Sequence, residues 1–259
     1  MPLATQPAVA RTYATPVDDP WEYVLQYRET MDYVAANPDK GSTAVGTAVG
    51  LPRSRVREWM NGRIPDVVRG LTTAVENGWF PETFQSEHAR ALNILVAAVF
   101  ATGSISTESY SPSFVVDDET ADQLEQALTV LGTGVRMSHE TDTKRTTELR
   151  PRRDAVVLGR VLAAAGAPTG AKVRVKDLSL PSYLSDAPMP VKREFAEVYV
   201  RSRGTKFESK DTTPLIEQRS TTFRRELAAF LSSLTDEAVS VGTTGVFLSA
   251  AAARRLGVR

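Results

Sequence analysis

Arginine is the residue whose number and spacing bear most directly on chemistry in this chain. It occurs 24 times against seven lysines, and its planar fork of N–H donors suits bidentate contacts with phosphate and with guanine. Five arginines stand between Arg53 and Arg69 against two acids, Glu58 and Asp66. Between Lys172 and Lys210, nine basic residues face five acidic ones. Other chemistries find no matching spacing. The histidines, His88 and His139, are far apart and have no cysteine beside them, which leaves no zinc pattern and no nucleophilic triad. "GAPTGAK" from Gly166 lacks the spacer and the Lys-Ser/Thr ending of a phosphate-binding loop, and it follows a helical pattern, so it reads as a helix end and turn. No dinucleotide fingerprint is present, and no cofactor is expected.

The bulk composition is that of a globular protein. Of the 259 residues, 42% are hydrophobic and 24% charged, and the formal net charge is zero. A neutral total with segregated charge suits one basic face, and it also suits many enzymes that bind no nucleic acid. No apolar run approaches the roughly 18 residues of a membrane span, and residues 1–17 lack a secretory pattern and read as a flexible tail. Absence of cysteine fits a reducing cytoplasm. The Arg-rich, Lys-poor usage fits a GC-rich prokaryotic or archaeal genome.

Residues 18–80 read as an all-α domain. Pro20 opens a helix after Asp18 and Asp19, with Trp21, Val24, Leu25, Arg28, Met31 and Val34 along one face, and the pattern stops at Asn37-Pro38. Ser42 is expected to cap a short helix ending at Gly50, and Ser54 a second one ending at Gly62. A further helix starts at Pro65. Two short helices joined by a tight turn outline a helix-turn-helix, with Ala44, Val45, Ala48 and Val49 expected to let them cross closely. In that geometry Arg53, Ser54, Arg55 and Arg57 face the major groove, Val56 and Trp59 face the core, and Asn61 and Arg63 lie within reach of phosphate. A small bundle with a solvated basic face has the same pattern. "GLPRSRVREWMNGRIP" also resembles the helix-turn-helix of many prokaryotic regulators.

After a linker at 81–86, the pattern changes to helices interleaved with alternating strands. A helix through "ILVAAVFATG" is followed by strands around "DETADQLEQALTVLG" and another helix, and the order then begins again at "VKREFAEVYVRSRG". Two copies of one unit, about 87–180 and 190–259, are expected to form one pseudo-twofold α+β domain. Lys144, Arg145 and Arg150 fall on a strand of the first copy. "KVRVK" is expected as a strand with Lys172, Arg174 and Lys176 on one face and Val173 and Val175 on the other. Lys206, Lys210 and Arg219 belong to the second sheet.

The two helix-glycine stretches resemble the paired signature helices of LAGLIDADG homing endonucleases, and the order αββαββα around them is similar, over roughly residues 85–259. The resemblance implies a saddle over DNA, with central helices packed through small residues such as Ala97, Ala98 and Ala101. It also implies an acid before each glycine that holds the cutting metal. This chain departs there: Thr102 precedes Gly103, Arg203 precedes Gly204, and two residues further back stand Phe100 and Arg201. A hydroxyl and a guanidinium cannot assemble a divalent-metal centre, so no catalytic residue and no metal are expected. Two roles are open to Arg203, with or without Arg201: neutralising DNA phosphate at the pseudo-twofold axis, or facing the helix C-terminal dipole. The combination of modules resembles WhiA-type bacterial regulators in reversed order.

The expectation is therefore a non-enzymatic, sequence-specific double-stranded DNA-binding protein. It would regulate transcription in the cytoplasm as a monomer with an internal pseudo-dimer, with DNA and the transcription machinery as partners and no membrane. The alternative is an active endonuclease whose acids are displaced to Glu108 and Glu208.

Overall fold

The computed structural model describes residues 2–116, 120–138, 146–175, 177–204 and 212–258. The chain divides into two units, Thr5–Glu76 and a second made of Met1–Ala4 with Asn77–Arg259. The class is α+β. Among the described residues no helix is long and apolar enough to cross a membrane.

The N-terminal unit is all helical: α1 (Gln6–Ala10), α2 (Pro20–Ala36), α3 (Ser42–Val49), α4 (Arg53–Met60) and α5 (Asp66–Glu76). Each start has a local cause. Asp19 caps α2 by accepting from the Trp21 amide at 3.1 Å, and Pro20 supplies a helical φ at a position whose amide would be unpaired. Its own ion pair with Arg11 holds the Asp19 carboxyl below its ordinary pKa. α3 ends at Gly50, whose φ of 69° is left-handed and favours glycine. The serines expected as caps do not serve: Gly41 and Pro52 occupy the cap positions of α3 and α4, without a side-chain bond. The segment expected as a tail carries structure among its described residues: Thr5 caps α1, and Val9 and Ala10 are fully buried.

The C-terminal unit runs α6 (Glu87–Ala101), β1 (Ser104–Ile105), β2 (Pro112–Val115), α7 (Ala121–Val130), β3 (Val135–Ser138), β4 (Glu148–Pro151) and α8 (Ala155–Ala164). A short 3₁₀ turn at Lys172–Arg174 and α9 (Tyr183–Asp186) lead to α10 (Met189–Arg203), β5 (Thr212–Ile216), α11 (Thr221–Thr235), β6 (Val239–Val241), β7 (Gly245–Ser249) and α12 (Ala250–Arg255). Two small antiparallel sheets result, ordered β1-β2-β4-β3 and β5-β7-β6. The second order is the first without its opening strand, and an isolated bridge from Gly204 to Leu215 stands where β1 pairs with β2. The boundary expected at residue 80 lies at Glu76. Trp79 is fully buried and donates to the Leu131 carbonyl at 3.0 Å, and Phe84 lies against Tyr183, so the stretch expected as a linker is built into the C-terminal unit.

α6 is the core helix. Nearly every side chain from Ala89 to Ala101 is buried, which is the mark of a helix covered on all sides. α10 packs along it, with Phe100 and Phe195 edge to face at 5.9 Å. One buried polar residue fixes their register. Asn93 donates to the Val191 carbonyl and the Glu194 carboxylate and accepts from the Tyr183 hydroxyl at 2.9 Å. Such a residue is affordable in a core only when every bond is made.

Candidate functional site

α4 is amphipathic in a way that divides structure from chemistry. Val56 and Trp59 are buried, and Trp59 is edge-on to both Tyr23 and Tyr27 of α2. Arg53, Ser54 and Arg57 are exposed on the same helix, and Asn61 and Arg63 are exposed just beyond it. The close crossing of α3 and α4 depends on Gly46, where a Cβ would come within 2.9 Å of the Leu51 carbonyl oxygen. Ala44 and Ala48, expected to do this, are exposed. Arg55 does not join the exposed row. It is half-buried, donates to the Gln26 side chain at 2.9 Å and lies over the Tyr23 ring at 5.4 Å, which fixes α4 to α2. Arg63 pairs with Glu58 at 2.9 Å, an exposed bridge of little weight.

The second cluster lies at the C-terminal ends of α6 and α10. A cavity of about 410 Å³ is lined there by Thr102, Lys172, Arg203, Glu217, Gln218 and Arg219, with Val173, Ser202 and Ile216 beside them. The glycines that end the two helices are explained by crowding. Their φ values are not left-handed; instead a Cβ on Gly103 would meet the Ser113 carbonyl at 2.9 Å, and one on Gly204 the Val200 carbonyl at 2.6 Å.

A helix C-terminus leaves carbonyls unpaired, and three cations close the end of α6. Lys172 Nζ donates to the Val99 and Gly103 carbonyls, both at 2.7 Å, and to Ala101 at 3.2 Å. Arg203 donates to Ala101 and Ile216, and Arg219 donates to Phe100 while stacking on Phe223 at 4.8 Å. Glu217 is their counter-ion. It is 1% exposed, accepts from the Tyr199 hydroxyl and the Arg219 amide, and lies 3.4 Å from the Arg219 guanidinium and 3.6 Å from that of Arg203. Burial, and then the charges of Arg219 and Arg203, push the Lys172 ammonium down to about 7, with Glu217 opposing. Burial likewise raises Tyr199 and lowers Arg219.

The expected strand at "KVRVK" is absent. Lys172–Arg174 is a 3₁₀ turn, Val173 is 61% exposed, and Lys172 points inward to the carbonyls while Arg174 is exposed. Arg219, expected on a DNA-facing surface, is buried with 3% of its side chain exposed. Arg201 does not line the cavity; its guanidinium lies 3.7 Å from where a Cβ on Gly257 would stand. Arg150 is bound to Glu148 at 2.7 Å and sits across from Arg136 in the register. On the face of the second sheet that carries Pro214, Phe247 and Ser240 as cross-strand neighbours, no basic residue stands among the described strand positions. Lys144, Arg145, Lys176, Lys206, Lys210 and Glu208 lie outside the described residues, as does His139. Glu108 is exposed in the turn after β1. Among the described residues no three acidic or histidine side chains gather as a metal site.

Sequence reasoning passed over Glu217, Tyr199 and Asn93. The signal was present for Glu217, an acid that directly follows the apolar run of β5 and precedes Gln218 and Arg219. Compared with protein-family models and with curated proteins, the chain matches none.

Proposed function

We propose that the chain is a non-enzymatic, sequence-specific double-stranded DNA-binding protein that regulates transcription. The observation that carries this reading is α4. It is short, follows α3 after a tight turn, buries Val56 and Trp59, and leaves Arg53 and Ser54 exposed in its first turn with Arg57 exposed one turn on. That is the arrangement in which a recognition helix presents its first residues to base edges. Arg53 and Arg57 are then the base or phosphate contacts, Asn61 and Arg63 hold the backbone, and Arg55 is a positioning residue that fixes α4 to α2.

The C-terminal unit is read as a LAGLIDADG-like saddle that does not cut. Three features support this: the element order repeats, the central helices α6 and α10 both end at crowded glycines, and Thr102 and Arg203 stand where the resemblance implies acids. Lys172, Arg203 and Arg219 make the junction cationic, which repels a divalent ion at close range.

Selection from a library of random duplexes, followed by gel shift at several salt concentrations, tests the reading. Enrichment of one motif is expected, with affinity falling steeply as salt rises. Arg53→Ala and Arg57→Ala should each cost about 1–3 kcal/mol of binding if they touch bases, and less, with a shallower salt slope, if they touch phosphate. No enrichment and no retention of duplex at low salt would end it. Nicking of plasmid in the presence of magnesium or manganese would replace it with the endonuclease reading.

A further inference from the structure

The cavity at the ends of α6 and α10 holds three cationic heads and one carboxylate. We propose that it is an oxyanion site, taking one phosphoryl group, free or on a polynucleotide backbone, directly against Arg203 with no divalent cation between. It deepens the reading of the C-terminal unit and is independent of α4.

The physical case begins with the field. Left alone, the C-terminal ends of two 15-residue helices would present partial negative charge and repel an anion. Lys172 reverses this by placing its ammonium on three carbonyls of the α6 terminus. Glu217 does not restore the negative charge, because it is buried and spent on Tyr199, Arg219 and Arg203. Arg219 is fixed beneath the cavity by its bonds to Phe100 and Tyr199. Arg203 is the group left to reach a ligand. Its side chain is 24% exposed, its bonds to Ala101 and Ile216 orient the fork, and further N–H groups of the guanidinium remain for an oxyanion. The lining by Thr102, Ser202 and Gln218 adds hydroxyl and amide groups without charge.

A bound anion favours the protonated form of Lys172, whose proton burial, Arg219 and Arg203 loosen and Glu217 retains. Binding therefore takes up a proton above about pH 7, and affinity falls as pH rises.

Sulfate is the probe because its charge does not change across this range. Calorimetric titration of the full chain with sulfate, in chelator and at ionic strength held constant with chloride, should give saturable one-site binding. It should be at least threefold weaker at pH 8.5 than at pH 6.0, a readout that needs no variant. Arg203→Gln should weaken it at least tenfold. If sulfate also displaces a short duplex, and Arg203→Gln weakens both, the phosphoryl group is that of the DNA backbone. If sulfate binds and duplex affinity is indifferent to it, the ligand is a free phosphoryl compound. Absence of saturable heat, or sulfate affinity undiminished in folded Arg203→Gln and flat with pH, overturns the proposal. Arg53→Ala with Arg57→Ala should lose duplex but keep sulfate, so failure at α4 and failure at this cavity are told apart.

Discussion

An ammonium taken out of water loses hydration that hydrogen bonds must replace. Lys172 replaces it with three helix-end carbonyls, yet two guanidinium groups nearby still work against its charge. The consequence for stability has a definite sign. Below about pH 7 the folded and unfolded chains both hold the proton, and the penalty on the charged form is constant. Above 7 the folded chain has released a proton that the unfolded chain keeps up to the ordinary lysine value, so stability rises with pH by at most about 1.4 kcal/mol per pH unit. The window closes near pH 10, where unfolded tyrosines ionise while buried Tyr183 and Tyr199 do not. Denaturant midpoints followed by Trp79, the tryptophan of the C-terminal unit, should climb from pH 7.5 to 9.5, and Lys172→Met should flatten the climb. A wild-type midpoint that stays level would mean that the ammonium keeps its ordinary proton affinity. The importance of Lys172 was legible in the sequence only as one basic residue among several. Its inward direction was not, because the carbonyls it reaches lie about seventy residues earlier in the chain.

At the scale of elements, helices with a strong local start or stop were readable, and those with tertiary causes were not. Asp19-Pro20 and Gly50 fix their helix ends by local chemistry, and the long apolar run of α6 could hardly be anything but a core helix. The alternation in "KVRVK" has the period of a strand, but among the described residues no strand pairs with it, and Lys172–Arg174 forms a 3₁₀ turn with Lys172 drawn to three carbonyls. Small residues in α3 pointed to a close helix crossing, yet composition could not say that Gly46, and not Ala44 or Ala48, stands at the crossing. Gly46→Ala follows from this. In a free helix, alanine would stabilise by about 1 kcal/mol over glycine. Here the new Cβ meets backbone oxygen at 2.9 Å, so the variant should lose about 1–3 kcal/mol by the rule for overpacking. Thermal unfolding monitored at Trp59 measures it. A rise in midpoint would show that α3 and α4 do not cross as closely as described.

At the scale of the whole molecule, the chain divides in two near the place the sequence pattern suggested, and the difference lies at the N-terminal segment. Residues 2–4 group with the C-terminal unit and residues 5–17 with the N-terminal one. The stretch is Pro- and Thr-rich with few large apolar side chains, so pattern alone reads it as unstructured. Its contacts say otherwise: Val9 and Ala10 are fully buried, Leu3 and Ala4 nearly so, and Arg11 pairs with Asp19 at the start of α2. Removing residues 2–17 separates the two descriptions. A flexible tail could be deleted without changing either unit. A built-in segment takes with it the burial of Val9, worth about 1.5–3 kcal/mol, together with the cap and packing of α1. Urea unfolding followed by Trp21 and Trp59 should shift to lower denaturant by that amount, while Trp79, in the unit that loses only residues 2–4, should shift less. Equal midpoints for the full and shortened chains at all three tryptophans would return residues 1–17 to the status of a tail. A larger loss at Trp79 than at Trp59 would mean that residues 2–4 matter more to the C-terminal core than α1 does to the helical unit.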